Sequence, residues 1–217
     1  MNAAVTSSLA ERLADLGSIP ISRVRSDPAP GMATTDDLLR VQGSDGHLYE
    51  LVDRTLVEKA NGWLQSLLAS VLIQWLRNFL VQNNLGVVTG ADGMSRLFGD
   101  TVRCPDVAFI SWSRLPDGRI PMDPIPNIMP DFVIEVLSDG NTRSEMARKR
   151  REYFAAGVRL IWMVDPLDRT VAVYRDPERV TVVDDSESLD GADVLPGFTF
   201  DLARLFAHLD QRAPDAG

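Results

Sequence analysis

The chain has 217 residues, which is enough for one domain with a full hydrophobic core, and its 45% hydrophobic and 24% charged residues are close to the averages of globular proteins. Its net charge is −9, but ten acids and three bases in residues 176–217 account for most of this, whereas residues 101–165 hold nine of each. The acidic balance therefore argues only weakly against a nucleic-acid partner, because phosphate binding depends on where the Lys and Arg residues lie.

Few residues suited to disulfide, zinc or membrane-spanning roles are present. The single cysteine, Cys104, cannot form an intramolecular disulfide bond, and His47 and His208 are too far apart in sequence to indicate a zinc site. The N-terminus lacks the basic and apolar regions of a signal peptide, and Gln65 and Gln74 interrupt the most apolar run, so no membrane span is predicted. These features predict a soluble, cytoplasmic protein.

Three regions follow one another along the chain. Residues 1–33 are predicted to be an extension, with a short helical pattern and a Pro-rich connection. The main domain is predicted over residues 34–209, and residues 210–217 are predicted to form a disordered tail. The domain opens with a short helix that Thr34 or Thr35 can cap, and acidic residues lie in its first turn.

The first half of the domain is predicted to contain a hairpin, a long helix and several strands. The hairpin is HLYELVDRTLVEK, with its turn at Asp53 and Arg54. Apolar residues at spacings of three and four predict an amphipathic helix from Gly62 to Val81. Short strand-like segments then follow, namely GVVTG, SRLF and VRCPDVAFISW.

The second half begins with a Pro-rich loop and a buried strand. The run DFVIEVL is almost continuously apolar, as is typical of a central strand covered on both faces. A helix is predicted from Thr142 to Ala156, ended by Gly157. RLIWMVD and TVAVYR predict a second hairpin, and after strand-like VTVV and an acidic loop a short helix is predicted from Asp201 to Leu209.

Two carboxylates interrupt the apolar strands. Glu135 lies within DFVIEVL and Asp106 opens the run PDVAFI. A buried carboxylate needs a cationic partner or a metal ion, and two that meet on neighbouring strands repel each other unless a cation neutralises them. Magnesium, which binds one or two carboxylates with waters and substrate phosphates, is one such cation, with a backbone carbonyl near Val136 as a further ligand. The alternatives are a structural ion pair for Glu135 and an Asx turn for Asp106.

The helix that follows offers two cations. On a helical wheel, Met146, Tyr153 and Phe154 define its apolar face, and Lys149 lies on the inward flank one turn before Tyr153. Lys149 can therefore reach the carboxylates. In the alternative interpretation it belongs to a solvated basic run whose aliphatic stems cover the sheet, and Arg150 is the rival partner for Glu135.

Together these motifs resemble the Uma-type putative restriction endonuclease family of bacteria, a branch of the PD-(D/E)-x-K nuclease superfamily. The resemblance runs from about Thr34 to Phe206. It includes YELVDRTLVE, PDVAF, FVIEVLS, the segment KRREYFAAGVRLIWMVDP, in which Lys149 lies four residues before Tyr153, and the closing DVLPGF.

This resemblance implies an α/β (α+β) fold with a restriction endonuclease-like central mixed sheet flanked by helices. It also implies phosphodiester hydrolysis with magnesium, or manganese in its place, and a site of Asp106, Glu135 and Lys149. Leu137 stands where the parent motif has its lysine, and Lys149 on the next helix would take over that role. Glu58 matches a further acid that would hold or position a metal ion, although a solvated charge at the strand end is equally compatible with its position.

Two differences from the family pattern affect the region around Glu58. The family usually has a glycine in the hairpin turn, where this chain has Arg54. It also has a Ser-Pro-rich link with a histidine before the long helix, where this chain has only residues 59–62, KANG. In the proposed site, Tyr153 would align Lys149 or contact a phosphate. Candidates for contacts with the DNA backbone are Arg143, Arg148, Arg150 and Arg151.

Two hypotheses for function follow. In the first, the protein is a metal-dependent DNA endonuclease, in which Asp106 and Glu135 bind the metal ion and Lys149 orients water or stabilises the developing charge. In the second, it is a non-catalytic binding protein that keeps the nuclease fold and docks with a partner, as a homodimer for example. A Ser or Cys hydrolase lacks a base, since neither histidine lies in a nucleophile motif.

Overall fold

The computed structural model describes residues 8–42, 44 and 46–212. Its centre is a six-stranded mixed sheet in the strand order β10-β9-β8-β7-β6-β3. The strands pair antiparallel except for β7 and β8, which are parallel. The six strands are β3 (Gly86–Gly90), β6 (Val107–Ser111), β7 (Phe132–Val136), β8 (Leu160–Asp165), β9 (Thr170–Tyr174) and β10 (Val180–Asp184).

A four-stranded sheet, in the order β2-β1-β5-β4, forms a second layer. Its turn between β1 and β2 places Asp53 and Arg54 at φ values of 47° and 56°, so two non-glycine residues adopt the left-handed conformation that this hairpin requires. The strands are β1 (Tyr49–Val52), β2 (Thr55–Glu58), β4 (Ser95–Phe98) and β5 (Thr101–Arg103). A separate two-stranded sheet joins β11 (Ser188–Asp190) to β12 (Thr199–Asp201).

Helices cover both faces of the large sheet. The helices are α1 (Leu9–Asp15), α2 (Thr35–Gln42), α3 (Trp63–Gln82), α4 (Arg143–Ala155) and α5 (Leu202–Phe206). Alternation along β7 explains the arrangement: Phe132, Ile134 and Val136 share a core with α3, whereas Val133 packs on the other face in the core that contains Met146 of α4. Glu135 alternates with Ile134, so it points to the α4 face.

Helix α3 is long and apolar enough, by length and composition alone, to cross a membrane. In the fold it is a core helix, because Leu68, Leu72 and Leu76 are buried together with the strands of the large sheet. Its apolar character is thus explained by packing.

Most of the predicted elements are confirmed, including both hairpins, the long helix, the central strand and the helix that carries Lys149. That helix begins with a capping box between Thr142 and Glu145, and Gly157 follows its C-terminus at φ 95°. The predicted fold class, a central mixed sheet flanked by helices, is confirmed as well.

The structure differs from the prediction in two places. The segment VRCPDVAFISW is not one strand: it breaks at residues 104–106 into β5 and β6, which belong to different sheets. Pro105 lacks the N–H that a strand needs for a ladder hydrogen bond, and this favours the break. The region predicted as an acidic loop and a turn contains β11 and β12, whose three-residue length is too short for a periodic signal.

The segment before the domain is joined to it by Arg23. The Arg23 guanidinium forms a two-point ion pair with Glu145, with N–O distances of 2.8 and 2.9 Å, and donates to the backbone carbonyls of Glu58 and Gly140. The division at residue 33 stays a prediction. Of the predicted disordered tail, residues 213–217 lie outside the described residues.

Arg23→Ala is expected to lower the free energy of unfolding by about 2 to 4 kcal/mol, because it leaves the Glu145 carboxylate, whose side chain is 3% exposed, without its cation. Urea denaturation at neutral pH measures the change. Arg119→Ala, which removes an exposed guanidinium, is the matched control. Equal stability of the two variants would contradict the prediction.

Candidate functional site

Asp106 and Glu135 lie side by side on adjacent strands. The pairing of Val107 with Ile134 in the β6–β7 ladder brings the residue before β6 next to the residue after Ile134. The Val136 backbone N–H donates to Asp106 Oδ2 at 2.6 Å. The two carboxylates are 4% and 3% exposed, so the structure brings together the two acids that the sequence singled out.

Helix α4 places Lys149 and Tyr153 over Glu135. Lys149 Nζ lies 3.2 Å from Glu135 Oε1, and the Tyr153 hydroxyl donates to the same oxygen at 2.6 Å. The two residues are four positions apart on one helix face, and both are buried. Lys149 thus reaches back over the sheet, as the helical wheel predicted.

The hairpin of the small sheet contributes two residues that the sequence analysis missed, Glu50 and Lys59. Glu50 is opposite Val57 in the β1–β2 ladder, and Lys59 is two residues beyond Val57, so both project from the same hairpin face. Glu50 Oε1 lies 3.0 Å from Lys149 Nζ. Lys149 is therefore shared between Glu50 and Glu135.

Lys59 is the partner of Asp106. Its Nζ lies 2.7 Å from Asp106 Oδ1 and donates to the Cys104 backbone carbonyl at 2.5 Å. The Lys59 side chain is 3% exposed, so the ion pair is withdrawn from water. The site consequently contains two buried ammonium groups, each in contact with one of the two strand carboxylates.

The amino-acid composition sets the two lysines apart. Lys59 and Lys149 are the only lysines in the chain, and the other 20 basic residues are arginines. A chain that uses arginine almost everywhere else places both of its lysines in one buried cluster. A lysine ammonium is a compact point charge, whereas arginine is a broad planar fork, so the two are not interchangeable in so confined a space.

A buried network extends from Glu50. Arg103 donates to Glu50 Oε2 at 2.6 Å and pairs with Glu152 at 2.5 Å. Glu152 also pairs with Arg148, and Arg148 with Asp53 in the hairpin turn. This chain of ion pairs fixes α4 against the small sheet, and hence positions Lys149 between its two carboxylates.

The acids of the site differ in their protonation behaviour. Burial opposes ionisation of Glu50, but the charges of Lys149 and Arg103 outweigh it and hold the pKa of this carboxyl well below its usual range. Burial raises the pKa of Glu135, and the like charge of Asp106 adds to that rise while Lys149 opposes it. Glu50 is therefore the permanent anion of the cluster, and Glu135 the acid that is costly to ionise.

The donors around Glu135 keep their protons. Burial disfavours the charged form of Lys149, yet Glu135 and Glu50 together raise the pKa of its ammonium above the usual value. Burial and the neighbouring carboxylates raise the pKa of Tyr153 well above its usual value. Burial also raises the pKa of the Cys104 thiol to about 12, which makes this cysteine unsuitable as a nucleophile.

Glu58 and Arg150 lie away from these carboxylates. The Glu58 carboxylate contacts His47 at 2.8 Å on the opposite face of the hairpin, since Glu58 ends β2 and Lys59 is the next residue along the extended chain. The Arg150 guanidinium lies 4.6 Å from the centre of the Tyr174 ring, and its buried Nε has no hydrogen-bond partner. Lys149, and not Arg150, is the partner of Glu135.

The donor types fit magnesium, which prefers carboxylate and carbonyl oxygens. Asp106, Glu135 and the Cys104 carbonyl supply them, and Glu135 Oε2 makes no hydrogen bond to the described residues. Across residues 8–42, 44 and 46–212, however, no three His, Cys, Asp or Glu side chains converge as a ready metal-binding group. The competing cation is Lys59 at Asp106.

A cleft of about 780 Å³ opens beside the buried acids. Lys59 and Leu137, the residue after the Glu135 strand, both line it. Three arginines also line the cleft: Arg23, Arg143 and Arg150. Lys59 thus borders the cleft, and its ammonium lies on the Asp106 carboxylate.

Two acids on neighbouring strands, with a lysine from the following helix over a mixed sheet, define a protein of the restriction endonuclease-like class. The sequence model of the Uma2 family, described as putative restriction endonuclease, matches residues 35–203. The chain belongs to this family, which confirms the resemblance in the sequence and supports a nuclease function in general terms.

Solved structures with a similar fold include that of a putative nuclease belonging to DUF820 from Anabaena variabilis ATCC 29413, with a TM-score of 0.68 and 22% sequence identity. The match covers 81% of this chain and 98% of the other. No curated protein matches. The structural similarity confirms the restriction endonuclease-like fold.

Proposed function

We propose that this protein is a magnesium-dependent endonuclease that hydrolyses phosphodiester bonds of DNA, with manganese as an alternative metal ion. The observation that carries the proposal is the contact of Lys149 with Glu135, beside Asp106, at a cleft lined by arginines. Two acids that can hold a cation, a fixed ammonium group and arginines along the neighbouring cleft together suit a phosphodiester substrate.

Asp106 and Glu135 are the residues that would hold the metal ion. When bound, the ion supplies charge neutralisation at the phosphate and a more acidic bound water. Lys149 keeps its proton, because its pKa is raised, so it acts as a fixed positive charge for the developing phosphorane and not as a general base. Tyr153 orients the Glu135 carboxylate by donating to Oε1.

Arginines along the cleft are the candidates for contacts with the DNA backbone. Arg150 makes no hydrogen bond or ion pair with the described residues, and the Tyr174 ring supports its guanidinium at the cleft wall. Arg143 is exposed at the same cleft. Arg148, in contrast, is engaged with Asp53 and Glu152. Backbone contacts of this kind give affinity without sequence preference.

The test is incubation of plasmid and single-stranded DNA with the protein and magnesium or manganese. We expect cleavage by the wild type that needs the metal ion and is lost in Asp106→Asn. Asp36→Asn, the same change at an exposed residue of α2, is the matched control and should cleave like the wild type. Cleavage by Asp106→Asn at the wild-type rate would refute the assigned site.

A second candidate function is non-catalytic binding or docking by a protein that retains the nuclease fold, for example as a homodimer, with DNA as one partner that can be tested. The neutralisation of Asp106 by Lys59 favours it, since compensated buried acids also occur in purely structural clusters. The same experiment separates the two functions: salt-sensitive DNA binding with no cleavage under any metal ion would support this candidate. Sedimentation of the free protein tests the dimer.

A further inference from the structure

Lys59 occupies the place of a cation among oxygen ligands. Its ammonium contacts a carboxylate oxygen of Asp106 at 2.7 Å and the carbonyl of Cys104 at 2.5 Å. Both are the hard oxygen donors that magnesium selects. Lys59 is also one of the residues that line the cleft.

Lys59 and a metal ion compete for Asp106. A magnesium ion binds a carboxylate oxygen at about 2.0 to 2.1 Å, so an ammonium on the same oxygen would lie close to the ion. Two cations so close together in a buried site repel strongly. Asp106 Oδ2 already accepts the Val136 N–H, which leaves Oδ1, the oxygen that Lys59 contacts, as the less engaged oxygen. Metal binding at Oδ1 therefore favours departure of the ammonium.

The fold gives the ammonium a place to go. Lys59 follows the last residue of β2, and its backbone N–H is fixed to the Leu48 carbonyl, so only the side chain has to move. Its four-carbon stem is flexible, and two further residues lining the cleft, Asp139 and Asp165, carry acceptor carboxylates. Rotation of the stem transfers the charge from Asp106 to the cleft.

We propose that the Lys59 ammonium occupies the metal position at Asp106 and moves into the cleft when a divalent ion binds. This inference rests on the proposed function, because it concerns the same metal site. It explains how the carboxylate pair is buried without a metal ion. It also implies that the wild type binds metal more weakly than its ligands alone would allow.

The size of the effect follows from competition. The apparent dissociation constant equals the intrinsic one divided by the fraction of molecules in which the site is free. Lys59→Met keeps a similar length and removes the charge, so we expect it to bind manganese at least about 10-fold more tightly than the wild type. Titration calorimetry of the full-length protein measures both constants.

Arg143→Met is the matched control, since it removes one positive charge from the exposed wall of the same cleft without touching Asp106. A general electrostatic effect would tighten manganese binding equally in the two variants. Displacement of the Lys59 ammonium by the metal ion predicts tighter manganese binding in Lys59→Met alone. Equal tightening would overturn the inference.

A second measurement uses the wild type and does not depend on the folding of a variant. Lys59 and Lys149 are the only lysines, so acetylation by an amine-selective reagent, read by peptide mass spectrometry, reports on each of them separately. We expect saturating manganese to raise the acetylation rate of Lys59 at least about 10-fold, because the amine moves from a buried ion pair to the cleft. Lys149 is expected to stay protected.

Failure of the inference and failure of the proposed function are distinguishable. Suppose that the wild type binds manganese and Asp106→Asn does not, so that the metal site stands. If Lys59→Met then binds manganese no more tightly than the wild type, and manganese does not raise the acetylation rate of Lys59, displacement of Lys59 is refuted. Metal binding that appears only in Lys59→Met supports the displacement. No binding by the wild type or by a folded Lys59→Met refutes both.

Discussion

Lys149→Met is expected to lower the free energy of unfolding by about 3 to 5 kcal/mol, the range for breaking a buried ion pair by removing one partner. The reason is that two carboxylates, Glu50 and Glu135, lose the ammonium that they share at 3.0 and 3.2 Å. Urea denaturation at pH 7 measures the loss. DNA cleavage should also disappear, since the fixed positive charge that contacts Glu135 is removed.

The control for this loss lies on the same helix. Arg151→Met removes a charge from the exposed face of α4 and should change stability by no more than about 0.5 kcal/mol. Glu50→Gln combined with Lys149→Met should recover part of the loss, because one of the two stranded carboxylates is then neutral. If Lys149→Met alone were as stable as Arg151→Met, Lys149 would not neutralise these acids.

Glu135→Gln is expected to lower the rate of DNA cleavage by a factor of at least about 100 while the protein stays folded. Glutamine keeps the shape and an acceptor oxygen for the Tyr153 hydroxyl, which donates to Glu135 at 2.6 Å. What it loses is the negative charge that a metal ion needs. Cleavage assays paired with thermal denaturation separate the two effects, and undiminished cleavage by Glu135→Gln would remove this residue from the site.

The same variant has a predictable dependence on pH. Burial raises the pKa of Glu135 in the folded protein, so its ionised form is disfavoured there relative to the unfolded chain. This contribution to stability is full below the ordinary pKa and is lost as the pH rises through the folded pKa. Relative to Glu135→Gln, the wild type should therefore lose stability as the pH rises above about 4, the ordinary pKa of a glutamate. An opposite trend would mean that Lys149 outweighs burial.

Much of the architecture could be predicted because local patterns reflect it. The alternation of apolar and polar residues and the continuous apolar runs predicted the strands, and the helical wheel predicted the direction of the Lys149 side chain. Both signals arise from residues close together in sequence. Asp106 and Glu135 stood out because a carboxylate in an apolar strand needs a partner. These features depend on neighbouring residues in the sequence and not on contacts made by the tertiary fold.

The partners of those acids could not be predicted in the same way. Lys59 reaches Asp106 only because the hairpin packs against the break between β5 and β6, a contact between residues 47 positions apart. The choice between Glu58 and Lys59 depends on which hairpin face turns inward, and a shift of one residue reverses it. Glu50 was missed for the same reason, as its role depends on an inward face shared with Lys59.

The break at residues 104–106 means that the site lies across a joint between two sheets. Glu50 lies in the small sheet and Lys59 directly follows its strand β2, whereas Glu135 lies in the large sheet and Asp106 directly precedes its strand β6. Lys149 is held between Glu50 and Glu135. If the hairpin opened locally while the large sheet stayed intact, the acids would be uncovered before the protein unfolded. The integrity of the site is therefore set by the docking of the two sheets, and hydrogen exchange in β1 and β2 would report on it directly.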